Sequence, residues 1–362
     1  MSTPTSVYTA RPATFDDLEE VAVLLQRVFD VKKSADTLKW KFSGCAGHLV
    51  GSTVLTSNHK IVGFLGQIPL RTRVANRDIL AVQGADVGIL EEHRRLDAFL
   101  NLLLKSVDDL EAKGIALAYG TANAEATITL STLLGQPTVS RTPLLVLPLS
   151  DAVPVSARTT FPLLTRLFAA CIRMVERGVA RLPDLAHDPL RVIRLDRFDS
   201  RFDVFWERIR DDYLILLVRD ARYLNWRYVE VPGVVYERIG IESTVSGEIE
   251  GYAVLGLSRR GAQVRGRICD LVTPRRENGR AAHKLITASI EWFRAQGADI
   301  ADVWMFPHAH LRFPLRLHGF IPRNTTRGRF QANTLMASAA LQLQCVERAD
   351  NWFLSMGDSD TV

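Results

Sequence analysis

The feature that most constrains the fold of this chain is a repeat within its own sequence. Residues 38–42 read LKWKF and residues 224–228 read LNWRY, which places the two motifs 186 residues apart. Further short similarities occur in the same order at separations of 182 to 188 residues. They pair residues 60–64 with 248–252, 86–87 with 270–271, 93–99 with 275–281, and 133–137 with 317–322. Because the matches stay in register, they indicate two copies of one domain.

The length of the chain agrees with a duplication. A chain of 362 residues suits two domains of about 150–200 residues each. Hydrophobic residues make up 47% and charged residues 23% of the sequence, the balance of a chain that buries a core. The predicted domains are residues 8–150 and 190–335, joined by a basic amphipathic linker helix at 155–188. A C-terminal helix followed by a frayed polar tail is expected over residues 336–362.

The order of elements within each copy predicts the fold class. Apolar residues recur at helical spacing over residues 15–29, and the tryptophan motif follows. Apolar strand patterns then lead through a basic turn into a helix, at 96–110 in the first copy and 281–295 in the second, and another strand comes next. This order predicts an α/β (α+β) fold in which a mixed sheet is flanked by helices.

The region between the two copies has a pattern of its own. Arg166, Arg173, Arg177 and Arg181 fall on one face of a helix over residues 162–182, and apolar residues form a broad opposite face. A basic amphipathic helix of this kind can lie on an anionic membrane surface. An interdomain helix covered by the two domains explains the same pattern, so both interpretations stay open.

The composition limits the cellular location and the binding partners that we expect. The N-terminus lacks the pattern of a signal peptide, and no apolar run reaches the ~18–20 residues of a membrane span. The four cysteines are far apart and form no CxxC pair, so we expect no metal site and a cytoplasmic protein, with peripheral association at the inner membrane face as an extension. The net charge of +5 permits anionic partners, and without a nucleic-acid motif we expect no nucleic acid.

A turn in the second copy has the chemistry of an anion site. Residues 276–281 read RENGRA and connect a predicted strand to a predicted helix. Free backbone N–H groups at a helix start bind phosphates, and Gly279 allows a close approach of the backbone. Arg276 and Arg280 add positive charge, and the small Ala281 leaves room. Neither GxxxxGK[ST] nor a GxGxxG turn after a first strand is present, which argues against nucleotide triphosphate and dinucleotide sites.

This turn resembles a motif of the GCN5-related N-acetyltransferase (GNAT) superfamily. Arg276-x-x-Gly279-x-Ala281 is similar to the Q/R-x-x-G-x-G/A turn that holds the pyrophosphate of acyl-coenzyme A in that family. The ending LRLHGF at 315–320 also resembles the family, and the same order of elements in both copies is similar to its tandem-domain members. The resemblance implies two GNAT-like domains and an acyl-CoA-dependent N-acyltransferase.

The resemblance also implies the substrates. Acetyl-CoA or a longer acyl-CoA would be the co-substrate, and a primary amine would accept the acyl group. Because of the amphipathic linker, a lipidic, sphingoid-like amine is one candidate acceptor, and an anionic membrane surface is a candidate partner. The alternative is a non-catalytic tandem protein that binds acyl-CoA or a partner.

The first copy departs from the motif. Its turn supplies Arg94, Arg95 and Phe99 as cofactor-binding residues, but Asp97 stands where the family has glycine, and a carboxylate repels a pyrophosphate. Asn123 resembles a residue that contacts the cofactor at the exit of a strand in the family. The second turn is therefore favoured as the working one.

Four residues are candidates for the chemistry of acyl transfer. Asp86 and Asp270 occupy equivalent places in the two copies and could act as a base or bind the amine; a carboxylate that pairs with a nearby arginine is the alternative. Tyr119 could protonate the leaving thiolate, or it could simply pack in the core. His308 follows a strand near the expected cleft, or it could be an ordinary loop residue.

Overall fold

The computed structural model describes residues 7–122, 138–141, 144–150, 189–276, 279–306, 308–323, 329–334 and 345–359. The predicted linker helix at 155–188 and Asn123 lie outside these residues. The described helices are α1 (Leu18–Phe29), α2 (Ala35–Ser43), α3 (Leu96–Ala112), α4 (Arg201–Ile209), α5 (Ala221–Tyr228), α6 (Arg280–Ala295) and α7 (Ala309–Leu317). The described strands are β1 (Thr9–Pro12), β2 (Thr53–Ser57), β3 (Lys60–Val74), β4 (Arg77–Ile89), β5 (Leu117–Ala122), β6 (Thr138–Arg141), β7 (Leu144–Pro148), β8 (Leu190–Arg194), β9 (Ile215–Leu217), β10 (Glu237–Ser243), β11 (Ile249–Arg260), β12 (Gln263–Val272), β13 (Ile300–Trp304), β14 (Ile321–Arg323), β15 (Arg329–Thr334) and β16 (Trp352–Phe353).

The described strands form two mixed sheets. The first has the order β1-β2-β3-β4-β5-β15-β6, with β9 paired to β3 and β16 paired to β9. The second has the order β14-β7-β13-β12-β11-β10-β8. In each sheet one central pair is parallel, β4 with β5 and β12 with β13, and helices pack against the sheets. The predicted α/β class, a mixed sheet flanked by helices in each copy, is confirmed.

The tryptophan motif places the two repeats about an approximate two-fold axis. Trp40 in α2 and Trp226 in α5 stack with ring centroids 5.0 Å apart. Trp40 Nε1 donates a hydrogen bond to the Trp226 carbonyl at 2.9 Å, and Trp226 Nε1 donates to the Trp40 carbonyl at 3.3 Å. The two tryptophans thus form a reciprocal pair of hydrogen bonds. This reciprocity is what two copies of one domain produce when they pack through the same surface.

The repeats also exchange their last strands. Strand β7 comes from the first repeat but pairs with β13 and β14 in the second sheet. Strand β15 comes from the second repeat and pairs with β5 and β6 in the first sheet. The ranges 8–150 and 190–335 therefore describe repeats of sequence, and they do not divide the chain into two self-contained folded units.

The core is built from the apolar stripes that the sequence shows. In α1, Leu18, Val21, Leu24 and Leu25 are buried, at the spacing of one helical face. In α6 the same spacing buries a stripe from Ala281 to Phe293. Full burial of one leucine or phenylalanine is worth roughly 1.5–3 kcal/mol, so these stripes fix both helices against the sheets. Among the described helices, none is long and apolar enough to cross a bilayer.

The C-terminal segment, residues 345–359, contradicts the expectation of a frayed tail. Strand β16 pairs in parallel with β9, and Trp352 and Phe353 are buried. The polar residues Ser355 and Asp358 are buried as well. The composition suggested a solvated tail because serine and aspartate are usually exposed, but here their polar groups have partners inside the protein.

Candidate functional site

The central parallel strands of each sheet pair over only part of their length. Between β4 and β5 the register is Val82 with Ala118 and Gln83 with Tyr119, and both strands continue beyond it. Between β12 and β13 the register covers only residues 265–267 and 300–302. Beyond the paired residues, β4 and β5 separate, and we call the gap between them the first cleft. The corresponding gap between β12 and β13 is the second cleft. Each lies beside the turn that leads into α3 or α6.

A β-bulge shapes the edge of the first cleft. Gly66 of β3 is opposite Ala85 and Phe64 is opposite Gly88, so Asp86 and Val87 have no partner on β3. Asp86 adopts a φ of 50°, a left-handed conformation that is uncommon for residues other than glycine. Val87 is 42% exposed. Bulges of this kind redirect a side chain and free backbone groups, and this one places Asp86 where the cleft meets solvent.

Two lysines hold the Asp86 carboxylate. Lys33 Nζ lies 2.7 Å from both carboxylate oxygens, and Lys41 Nζ lies 2.8 Å from Oδ2. Burial alone would raise the pKa of Asp86, but the charges of Lys41 and Lys33 outweigh burial and lower this pKa below its ordinary value. Asp86 is therefore a carboxylate at neutral pH and a weak base. Its Oδ1 accepts one of these bonds and retains room for one more donor.

Asp270 has a different environment in the second cleft. Its carboxylate accepts hydrogen bonds from Arg219 Nε at 3.3 Å, Tyr228 Oη at 3.3 Å, Tyr252 Oη at 3.0 Å and Ser355 Oγ at 2.9 Å. The residue is 1% exposed. A catalytic role for Asp270 conflicts with this burial, because its oxygens are already bonded and no substrate has access to them.

The C-terminal segment fills the second cleft. Ser355 forms a bridge with Met305 at the end of β13, and Ser355 also bonds to Asp270 of β12. The Asp358 carboxylate accepts two bonds from Arg219 Nη2 at 2.6 and 2.7 Å. Arg227 donates to the carbonyls of residues 357 and 359 at 3.0 and 2.9 Å. The space between β12 and β13 is thus occupied by the chain itself.

The other two predicted catalytic residues lie against this segment. Tyr119 is buried, with its ring 5.6 Å from that of Trp352. His308 is buried with its ring stacked 5.6 Å from that of Phe353, and burial lowers the pKa of His308 to about 4. The position of Tyr119 favours the packing alternative for that residue, whereas His308 is buried against Phe353 and is therefore not the exposed loop residue that was its alternative.

The predicted anion turn of the second repeat is described at Arg276 and from Gly279 onward. Gly279 is the N-cap of α6 and has a φ of 82°, a conformation that glycine adopts without strain. Arg276 and Arg280 are exposed, and the Ala281 methyl is buried beneath the helix start. Two arginines thus lie exposed at the start of α6, beside the positive end of its helix dipole.

The turn of the first repeat is built differently. Helix α3 begins at Leu96 with Arg95 as the N-cap, so Asp97 lies inside the first helical turn. Arg95 Nε donates to Asp97 Oδ1 at 3.1 Å, and this bond lowers the pKa of Asp97. Arg94 is exposed and donates to the Ile89 carbonyl at 3.1 Å, while Phe99 packs against the core. The helix start thus presents two arginines, one of them engaged by a carboxylate.

The structure identifies polar residues that the sequence reasoning missed: Lys33, Lys41, Arg219 and Asp358. The repeat itself could have found the cations, because Lys33 and Arg219 are 186 residues apart and so are Lys41 and Arg227. No comparable signal marks Asp358. The described ranges contain no group of three or more side chains placed to hold a metal ion.

The comparisons with known proteins agree with this architecture. Residues 9–131 match the family model of the acetyltransferase (GNAT) domain. No curated protein matches the chain significantly. The fold is similar to that of a probable N-acyltransferase of unknown function from Enterococcus faecalis V583, with 11% identity and a TM-score of 0.62 over 91% of this chain and 73% of that one.

Two further solved structures have the same fold. One is N-myristoyltransferase from Saccharomyces cerevisiae with bound myristoyl-CoA, at 14% identity and a TM-score of 0.59, covering 91% of this chain and 83% of that chain. The other is a GCN5-related N-acetyltransferase from Anabaena variabilis, at 13% identity and a TM-score of 0.61, covering 91% and 73%. At such identities the likeness shows the fold. Together with the domain match, it supports an N-acyltransferase, as the sequence predicts.

Proposed function

We propose that the protein transfers an acyl group from a coenzyme A thioester to a primary amine in the first cleft, because the first repeat is a GNAT domain. The observation that carries this proposal is the contrast between the two clefts. In the first, Val87 is exposed beside the ionised Asp86, and among the described residues only Lys33 and Lys41 bond to that carboxylate, whereas in the second, residues 352–359 pack against Asp270 and Arg219. The sequence favoured the turn of the second repeat as the working cofactor site; we now propose the turn of the first repeat instead.

The donor would bind where β4 leads into α3. The first N–H groups of α3 point out of the helix at the positive end of its dipole and can attract a diphosphate. The Asp97 carboxylate accepts from the N–H groups of residues 97 and 98, and the diphosphate would replace it there. Arg94 and Arg95 add two positive charges there. Arg95 is paired with Asp97, so we expect it to turn from that carboxylate to the more highly charged diphosphate. Phe99, one turn into the helix, packs beneath this site.

The bulge would supply the chemistry. Asp86 and Val87 have no register partner on β3, and a backbone N–H group turned into the cleft at this bulge would stabilise the oxyanion that forms on the thioester carbonyl. The Oδ1 atom of Asp86 can accept a hydrogen bond from the acceptor amine and orient its lone pair. The amine nitrogen then bonds to the carbonyl carbon, the C–S bond breaks, and coenzyme A leaves as a thiolate that takes up a proton.

Asp86 acts here as a positioning group for the amine. Because Lys33 and Lys41 lower the pKa of Asp86, the carboxylate holds a proton poorly, and the proton of the acceptor passes to water. The two ammonium groups also disfavour a third positive charge beside them, which lowers the pKa of an amine bound there. The neutral, nucleophilic form of the acceptor is favoured as a result.

A lipidic, sphingoid-like acceptor and an anionic membrane partner remain predictions. Both depend on the helix at 162–182, which lies outside the described residues. The non-catalytic alternative has one observation in its favour: in the first turn, Asp97 engages Arg95 and adds negative charge where the diphosphate would bind.

Calorimetry and a thiol-release assay test the proposal. We expect acetyl-CoA or palmitoyl-CoA to bind at one molecule per chain, because the second cleft is filled. A panel of primary amines should then release free coenzyme A, detected with a thiol reagent. Arg94→Glu should weaken binding of the thioester by ~10-fold or more, whereas the matched variant Arg276→Glu in the second turn should change the Kd less than twofold.

The outcomes separate the candidate functions. Binding without thiol release from any amine would support the non-catalytic alternative. If Arg276→Glu weakens binding and Arg94→Glu does not, the working site is in the second repeat. If neither thioester binds, the proposed function is wrong.

A further inference from the structure

The two clefts share a set of charged residues that the duplication relates. Lys33 precedes the N-cap of α2, and Arg219 precedes the N-cap of α5. Lys33 pairs with Asp86 on the bulge of β4, and Arg219 pairs with Asp270, its equivalent on β12. A cation before a helix and an aspartate on a bulge are thus retained in both repeats.

The second cleft shows what this arrangement binds. Arg219 holds Asp270 through Nε and a second carboxylate, that of Asp358, through Nη2 at 2.6 and 2.7 Å. Asp358 ends a short 3-10 helix, Met356–Asp358, in the C-terminal segment that enters between β12 and β13. The cation of the second repeat therefore joins the aspartate of the bulge to an anionic group delivered by another part of the chain.

In the first cleft no described residue supplies a second carboxylate to Lys33. Within the described ranges, Asp86 is the one carboxylate within salt-bridge distance of Lys33. The Lys33 side chain is 23% exposed, whereas that of Arg219 is fully buried. Lys33 can therefore meet a ligand from solvent while it stays bonded to Asp86. An ammonium ion that is partly buried gains from a further charge-assisted hydrogen bond.

We propose that the acceptor carries a carboxylate as well as the reacting amine, and that Lys33 selects it by binding that carboxylate. This inference rests on the proposed function and names the class of its acceptor, an amino acid or a similar small amino-carboxylate. Asp86 Oδ1 positions the amine, and Lys33 Nζ, 2.7 Å from that oxygen, binds the acid. With a hydrogen bond of ~2.8 Å from the amine nitrogen to Asp86 Oδ1, and another of ~2.8 Å from Lys33 Nζ to the carboxylate oxygen, these two acceptor atoms lie at most ~8 Å apart. That limit fits acceptors with a short spacer between the two groups.

Matched acceptor pairs test this specificity. Glycine and glycinamide form one pair, and 4-aminobutyrate and 4-aminobutyramide form another. We expect the full-length protein, saturated with acetyl-CoA, to have a kcat/KM at least ~10-fold higher for the carboxylate of each pair at equal concentrations of free amine. Sphingosine, a lipidic amine without a carboxylate, is included as the competing acceptor class.

Variants at neighbouring lysines separate recognition from folding. Lys33→Met should remove most of the preference for the carboxylate, chiefly by raising KM, while Lys33→Arg should retain it, because arginine has this role at position 219. Lys32→Met is the matched control, since Lys32 is exposed and should leave the preference unchanged. The Kd of acetyl-CoA for Lys33→Met should stay within about twofold of the original, which shows that the variant is folded.

Each result has one meaning. If the neutral amides or sphingosine react as well as the carboxylates, or if Lys33→Met keeps the original preference, the inference is wrong and the proposed function stands. If no amine releases coenzyme A, the proposed function fails and the inference fails with it.

Discussion

Replacing Asp358 with alanine should destabilise the whole protein. The carboxylate of Asp358 accepts two bonds from Arg219 Nη2, and its Oδ2 also accepts from the Ser355 backbone N–H at 2.8 Å. The side chains of Arg219 and Asp358 are both 0% exposed. In Asp358→Ala, Arg219 would keep the bonds from its Nε to Asp270 and from its Nη1 to the Leu217 carbonyl, both at 3.3 Å, but its Nη2 would be buried without the carboxylate that accepts from it.

The size of the effect follows from this burial. Removing one partner of a buried ion pair typically costs ~3–5 kcal/mol, because the remaining charge stays desolvated. Asp270 offsets part of the positive charge of Arg219, so we expect the lower half of that range for the free energy of unfolding. Since a loss of 1 kcal/mol lowers the Tm of a large domain by roughly 2 °C, the Tm should fall by ~6–8 °C.

Thermal unfolding followed by tryptophan fluorescence measures this change. Trp352 lies in the same segment and is 1% exposed, so undocking of the segment would change its contribution to the emission of the six tryptophans. Asp350→Ala is the matched control, because Asp350 is exposed in the same segment and its loss should change the free energy of unfolding by ~0.5 kcal/mol or less. Equal Tm values for the two variants would refute the claim that Asp358 is a buried partner of Arg219.

Three further predictions concern the first cleft and the pH dependence. Asp97→Gly should tighten binding of acetyl-CoA by ~3-fold or more, because it removes a negative charge from the start of α3; calorimetry checks this, and an unchanged Kd would contradict the location of the diphosphate. Asp86→Asn should lower kcat by ~100-fold with little change in the Kd of acetyl-CoA, because asparagine tolerates a positive φ; steady-state kinetics that match the original protein would exclude Asp86 from the site. Burial lowers the pKa values of His308 and His318 to about 4, below the ~6.5 of an unfolded histidine, so the unfolded state binds more protons and stability is lost as the pH falls from about 7 towards 4. The Tm at pH 5 should thus be lower than at pH 7, with a smaller difference in His318→Asn, and identical differences in the two proteins would contradict the burial of His318.

Much of the architecture could be predicted because the relevant signals are local. The helix predicted over residues 281–295 is α6, Arg280–Ala295, since an apolar stripe and flanking glycines define it within its own sequence. The recurrence of Trp40 and Trp226 predicted the duplication, and their stacking makes this pair the contact between the repeats. Such features need no knowledge of the distant parts of the chain.

The exchange of strands could not be predicted in the same way. Strand β7 has the apolar character of a sheet strand whether it pairs with β5 or with β13, because the pattern encodes a buried strand and not its partner. The burial of the C-terminal segment was even harder to predict from the sequence. Ser355 and Asp358 resemble the residues of a solvated tail, and their burial becomes favourable through Asp270, which accepts from the Ser355 hydroxyl, and Arg219, which donates to Asp358. Both partners lie far away in the sequence.

The filled second cleft also has a consequence for the first. Gln83 is the last residue of β4 that pairs with β5, so it lies where the first cleft begins to open. Its Nε2 atom donates a hydrogen bond to the Asp358 carbonyl at 2.7 Å, inside the protein. The same residue of the C-terminal segment thus neutralises Arg219 in one repeat and bonds to the base of the first cleft in the other. Because β7 and β15 are exchanged as well, each sheet contains strands of both repeats, and we expect a change that loosens one sheet to disturb the other.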